Sequence, residues 1–175
     1  MFRAIINAFR IKEVRNRILY TIGILAIYRF GANITVPGVD ATKILEQVDT
    51  GIMGMMDLFS GGALGKFAVF SLGIMPYITA TIVMQLLQVV IPKLDQMVKE
   101  GEIGRRKVNQ IARYMTVGLA LMQSVAMVFF FRNFGAIPDF DLMHVTLIIA
   151  TLTAGTTLIM WLGELINIHG IGNGI

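Results

Sequence analysis

The sequence predicts an all-α, polytopic membrane protein with four transmembrane helices and one short re-entrant half-helix. Three observations carry this prediction. Hydrophobic residues make up 55% of the 175-residue chain and charged residues only 15%, with a mean hydropathy of +0.72. A soluble domain carries about 25% charged residues, so too few remain here for a water-covered surface or for a disordered chain. Four stretches are long and apolar enough to cross a bilayer, which takes about 20 residues at about 1.5 Å each. Eleven of the fifteen Lys and Arg lie in two places, before the first stretch and between the second and third, counting Arg113 just inside the third. The absence of Cys excludes disulfides, thiol catalysis and Cys-ligated metals.

Residues 1–17 place Phe2, Ile5, Ile6 and Phe9 at i, i+3, i+4 and i+7, with Arg3, Arg10 and Lys12 off that stripe. This fits an amphipathic helix at the inner membrane surface; it equally fits a short basic leader that sets topology. The apolar stretch that follows is long for a secretory leader and no small-x-small cleavage site follows it, so it is read as a retained span. That first span, 18–36, is interrupted by Arg29. A charge there is costly unless it snorkels outward or pairs, and both readings stand.

Residues 52–65 are too few and too glycine-rich to span, yet too apolar for a free loop. They fit a half-helix dipping back into protein between the joints Gly51, Gly54, Gly61 and Gly62, or a helix lying flat on the outer surface. In the second span, 67–91, Gly73 and Pro76 are expected to allow a bend. Its Thr79, Thr81, Gln85 and Gln88 should avoid lipid, and the two glutamines share a face that suits water. The third span, 111–131, adds Gln123 and Ser124. The fourth, 145–168, sets Thr151, Thr153, Thr156 and Thr157 around Gly155 and carries Glu164 near its end. Most of these hydroxyls suit helix–helix packing.

The distribution of Lys and Arg puts both termini in the cytoplasm, with 92–110 and 169–175 as cytoplasmic loops. Asp40, Glu46, Asp49, Asp57, Asp139 and Asp141 then lie outside. No catalytic constellation is visible, and no metal or cofactor is expected. His144 and His169 fall at opposite membrane faces and read as interfacial residues. The glycine-rich stretch 170–174 follows a span rather than a strand, so it reads as a cytoplasmic turn and not a phosphate loop. Arg105, Arg106 and Lys107 fit contact with RNA or anionic lipid, and equally plain topology determination.

Five stretches carry a family resemblance: VPGVD (36–40), DLFSGGALGKF (57–67), FSLGIMPYITATIVMQLL (70–87), KEGEIGRRKVNQIARY (99–114) and WLGELINIHGIGNGI (161–175). In order and spacing they resemble the N-terminal part of the SecY family, channel subunits of the bacterial Sec protein translocase. The resemblance covers essentially the whole chain. It implies a clamshell of ten spans in two inverted halves, through which unfolded secretory chains pass and from which hydrophobic segments leave sideways into lipid. It makes 52–65 the plug, with Met53, Met56, Asp57, Phe59, Ser60, Gly61 and Gly62 as plug residues. It makes Ile74 and Ile78 pore-ring residues, and Thr79, Gln85 and Gln123 lateral-gate residues. It implies SecE and SecG as partner subunits, a SecA motor or the ribosome as docking partner, and a place in the bacterial cytoplasmic membrane. The family continues beyond a fourth span, so a portion of a longer channel is expected. Two copies cannot supply both halves, because one would have to insert against the basic bias. The competing classes are half of a small-solute transporter and a non-conducting scaffold. The first lacks an acid near the middle of any span to couple ions. An enzyme is the least supported class.

Overall fold

The structure, a computed structural model, describes residues 11–48, 51–138 and 140–174, without the side chains of residues 47, 48, 52, 53, 56 and 59. The stripe from Phe2 to Phe9 lies outside the described residues. Among them the chain forms seven helices and no strand. They are α1 (Lys12–Gly31), α2 (Ala41–Val48), α3 (Ile52–Phe59), α4 (Met75–Val90), α5 (Pro92–Lys99), α6 (Glu102–Asn133) and α7 (Leu142–His169).

Two of these, α6 and α7, are long and apolar enough to cross a membrane; α4 and α5 pass together but are bent by 101° at the break between them. The bend follows from Pro92. It opens α5 at its first turn and holds Ile91 extended, at φ −102° and ψ 107°. Residues 92–110, expected as a loop, are therefore largely helical. Leu94, Met97 and Val98 of α5 pack on Val108 and Ala112 of α6, which makes the segment a folded hairpin.

The helix ends also differ from the expected spans. Instead of 18–36, α1 runs from Lys12 and stops at Gly31. Gly31 abuts the Phe70 ring, where an added Cβ would come within 2.2 Å. Beyond it the backbone turns to pair Thr35 with Ala68 in a single antiparallel bridge. Instead of 67–91, α4 begins at Met75. Gly73 has φ +57° and Pro76 sits in the first turn. These two residues start the helix; they do not bend it. At 16 residues α4 is about 24 Å long. The expected half-helix 52–65 is helical only over Ile52–Phe59. The third and fourth spans sit inside longer helices.

The buried positions of α6 are Gly104, Val108, Ala112, Thr116, Ala120, Ser124 and Val128, every fourth residue, and then Phe131. Four residues turn about 400° on a helix, so each step advances about 40°. Over six steps the small-residue seam winds about two-thirds of the way round, and α6 meets different neighbours along its length. Gly104 lies against the Met97 carbonyl of α5. Val108 and Ala112 meet Met84 of α4. The Ser124 hydroxyl lies 3.0 Å from that of Thr153 on α7. Val128 and Phe131 join Val36, Phe67, Ile148 and Leu152 in the largest core cluster. The hydroxyl-packing expectation holds at that Ser124–Thr153 pair, while Thr151 and Thr157 bond to carbonyls of their own helix.

Toward the expected outer side, Asp40 Oδ1 accepts from both the hydroxyl and the amide of Thr42 at the start of α2. These bonds favour the ionised form and hold the carboxyl below its ordinary pKa. The Asp40 amide and the Lys43 ammonium in turn donate to the Ala136 and Gly135 carbonyls.

Gly155 of α7 lets the chain cross at Val69, whose carbonyl oxygen would lie 2.0 Å from an added Cβ. Gly155→Ala is therefore expected to lower the melting temperature in detergent, by overpacking worth about 1–3 kcal/mol. Gly118→Ala adds a methyl that meets nothing within 4 Å and is expected to leave it unchanged or raise it. Equal shifts for the two variants would contradict the crossing.

Candidate functional site

From Ser60 to Ile74 the chain has no helix, so its polar backbone groups need partners of other kinds. The first turn is organised by Asp57. Its Oδ1 accepts from the Gly65 amide at 2.8 Å, and the Leu64 amide donates to Ser60 Oγ at 3.1 Å. Gly61 and Gly62 both adopt left-handed backbone, at φ +65° and +82°, which side-chain-bearing residues rarely tolerate in succession. The Gly62 amide donates back to the Asp57 carbonyl at 2.9 Å.

Helix α1 holds this turn from the side. The Tyr28 hydroxyl donates to the Ser60 carbonyl at 3.0 Å, and Arg29 Nη1 donates to the Gly61 carbonyl at 2.6 Å. Further along, Lys66 Nζ donates to Asn33 Oδ1, and Asn33 Nδ2 donates to the Arg29 carbonyl. Phe67 follows with φ +44°. A bulky residue there is strained by about 1–3 kcal/mol. It is held by full burial and an edge-on contact with Phe131 at 5.3 Å between ring centroids. Arg29 thus finds a backbone carbonyl of the glycine turn, and no acid among the described residues pairs with it.

A cavity of about 900 Å³ opens between α1, this turn, α4, α6 and α7. Ile74 and Ile78 both line it, together with Thr79, Gln123, Tyr28, Ser60 and Leu64. Ile74 caps the start of α4, with its carbonyl accepting from the Ile78 amide at 3.1 Å. The two isoleucines therefore face the same space, as their spacing predicts. Among the described residues no charged side chain contributes to the wall. Gln85 is not part of the wall; it is exposed beside Leu86 and Val89 on another face of α4. Asp57, Ser60, Gly61 and Gly62 sit together in the turn. The side chains of Met53, Met56 and Phe59 lie outside the described residues.

A sequence model of the SecY family, described as SecY, matches residues 68–175. The chain belongs to the SecY family. It is 45% identical over 189 residues to the protein translocase subunit SecY of Streptomyces griseus, covering 100% of this chain and 43% of that protein. It is likewise 45% identical over 180 residues to the SecY of Staphylococcus aureus strain NCTC 8325, covering 100% and 42%. The chain thus spans less than half the length of these SecY relatives. Two solved structures share the fold. One is Sec61 in the canine ribosome–channel complex, at TM-score 0.63, 20% identity and coverage of 91% of this chain and 34% of that one. The other is a SecY structure whose plug domain is described as stabilising the closed state of the translocation channel, at TM-score 0.63, 21% identity and coverage of 92% and 33%.

At the other end of the cavity this SecY-family chain carries polar contacts that sequence reasoning missed. Arg113 Nε on α6 donates to Glu164 Oε1 on α7 at 2.6 Å. The glycine-rich stretch 170–174 folds back as a turn, with Gly172 at φ +84°. The Gly174 amide donates to Asn167 Oδ1 at 2.7 Å, and Ile171 donates to Thr21 Oγ1 of α1 at 3.1 Å. The stretch therefore ties α1 to α7. Arg105, Arg106 and Lys107 are exposed on the first turns of α6, and Arg106 pairs with Glu102 at 2.9 Å. His169 packs near Tyr20, and His144 lies at the opposite end of α7 beside Gly38.

Glu164 is largely buried while Arg113 is half exposed, so the pair is worth about 0.5–1 kcal/mol after solvent screening. A double-mutant cycle with Arg113→Gln and Glu164→Gln is expected to show that coupling in thermal unfolding of the detergent-solubilised chain. Additive effects would mean that α6 and α7 do not use the pair.

Proposed function

We propose that this chain is the N-terminal portion of a protein-conducting channel that passes unfolded secretory chains across the bacterial cytoplasmic membrane and releases hydrophobic segments laterally. The observation that carries the reading is the uncharged cavity with Ile74 and Ile78 on its wall and the glycine turn at its edge. Branched apolar side chains can close around a passing chain while offering it no polar anchor, and such a constriction resists wetting. The family membership and the described closed-state role of a plug in the similar SecY structure support the same reading.

On this reading α1, α4, α6 and α7 are four spans, and α3 with its turn is the re-entrant plug. Both ends of the chain face the cytoplasm, in keeping with the placement of Lys and Arg. Helix α1 carries Lys12, Glu13, Arg15, Arg17 and Arg29, and crosses only with Arg29 satisfied by protein. Thr79 and Gln123, which share the cavity, are the better-supported gate residues; Gln85 meets partners outside this chain. Arg105, Arg106 and Lys107 face the cytoplasmic headgroups or a docking partner. SecE and SecG complete the channel, and SecA or the ribosome drives it through parts that the longer relatives carry.

A photo-crosslinker at Ile78 in the complete channel is expected to trap a stalled precursor, while one at the exposed Leu147 of α7 is not. Equal yields would sink the pore assignment. Deleting residues 53–62 is expected to raise resting ion leakage; unchanged conductance would favour a helix lying flat on the outer surface.

A further inference from the structure

The segment between α2 and α4 is held in two different ways. From Ala63 onward it is anchored by burial: Ala63, Leu64, Phe67, Ala68 and Phe70 are all almost wholly excluded from solvent. Helix α3 packs chiefly on the short α2, and of its described side chains Met55 and Leu58 are 62% and 81% exposed. Among the described side chains, those that tie the end of α3 to α1 are polar. Tyr28 and Arg29, adjacent on α1, donate to the consecutive carbonyls of Ser60 and Gly61. No backbone amide among the described residues donates to the Gly61 carbonyl, so Arg29 supplies that oxygen's partner. The guanidinium likewise has no carboxylate partner among the described residues.

We propose that Tyr28 and Arg29 form a latch that holds the turn after α3 against α1 in the shut channel. The proposal rests on the channel reading above. Apolar burial fixes the segment at Ala63–Phe70, and the bonds of Asp57 and Ser60 to the Gly62, Leu64 and Gly65 amides make the turn one unit with it. The two hydrogen bonds from α1 are the release point between that unit and α1, and the charge-assisted one is the stronger. Both residues are positioning residues; Arg29 is not on the cavity wall, whereas Tyr28 also lines it.

The test uses the complete channel, reconstituted in planar bilayers without precursor, with resting conductance as the readout. Arg29→Gln is expected to raise the resting open fraction about tenfold, and Tyr28→Phe about threefold, as loss of a charged and of a neutral hydrogen bond would. Arg29→Lys, which keeps a charge and a donor, is expected to return toward the wild-type value. Crosslinking of a stalled precursor from Ile78 is expected to stay unchanged in the two Arg29 variants, whose residue is not on the cavity wall, and the melting temperature is expected to stay unchanged in all three. Conductance within twofold of wild type in both Arg29→Gln and Tyr28→Phe, with crosslinking intact, overturns the latch and leaves the channel reading standing. A rise accompanied by a lower melting temperature, or by lost crosslinking in the Arg29 variants, also overturns it, because that is general loosening. Absence of a precursor adduct in the wild-type channel overturns the channel reading itself. If Arg29→Gln does not insert, Tyr28→Phe, which removes a single oxygen, decides alone.

Discussion

Between Phe59 and Met75 the chain runs without a helix and is mostly buried, so its carbonyls and amides have to be answered largely from within. Irregular backbone is tolerated at membrane depth only when protein or a water-filled space satisfies it. Most of the arrangement follows from this requirement. Asp57 and Ser60 answer amides inside the turn. Tyr28 and Arg29 answer two carbonyls from α1. Ser71 answers the Ala63 and Ala68 carbonyls. Ile34 and Val36 pair with Val69 and Phe67 through the backbone. The strain at Phe67 is tolerable because the ring is driven into the core by the contacts on either side.

The long helices serve this segment by making room for it. The seam of α6 carries Gly, Ala, Ser or Thr at most of its buried positions, so neighbours approach closely without bulky side chains. Gly155 gives α7 a notch at the height of Val69, and Gly31 gives α1 one at Phe70. The cavity survives because α4 starts late. A helix begun at Phe67 would put side chains where Ile74 and Ser71 now border open space.

Much of this was legible in the sequence, and the misses have physical causes. Hydropathy located α7 within a few residues and the apolar part of α6, whose polar first nine residues it left out. The same measure gave no sign that the helix of the second span begins only at Met75, since 67–74 is as apolar as the helix that follows. Only Gly73 and Pro76 mark the boundary there, and each has two meanings: a bend inside a helix or the start of one. Ile74 and Ile78, four residues apart, line one cavity, with Ile74 standing just before the helix. Gln85 is exposed on another face of α4 and not on the cavity wall, a distinction that polarity alone does not make. Arg29 was recognised as costly, but its partner is a carbonyl, which every residue possesses. The clue was available in the nearby glycine turn, whose backbone leaves oxygens unanswered. The α5–α6 hairpin was missed because its apolar face is only Leu94, Met97 and Val98, too short a stripe to stand out from a loop.

The bond from Arg29 to Gly61 joins residues 32 apart in the chain, and it has a consequence for synthesis. At about 5–20 residues per second, Gly61 follows Arg29 out of the ribosome by about 2–6 s. Throughout that interval this carbonyl has not yet emerged, so any earlier partner of the guanidinium is a temporary one. The spacing between one arginine and one carbonyl thus sets the earliest moment at which the turn can close on α1.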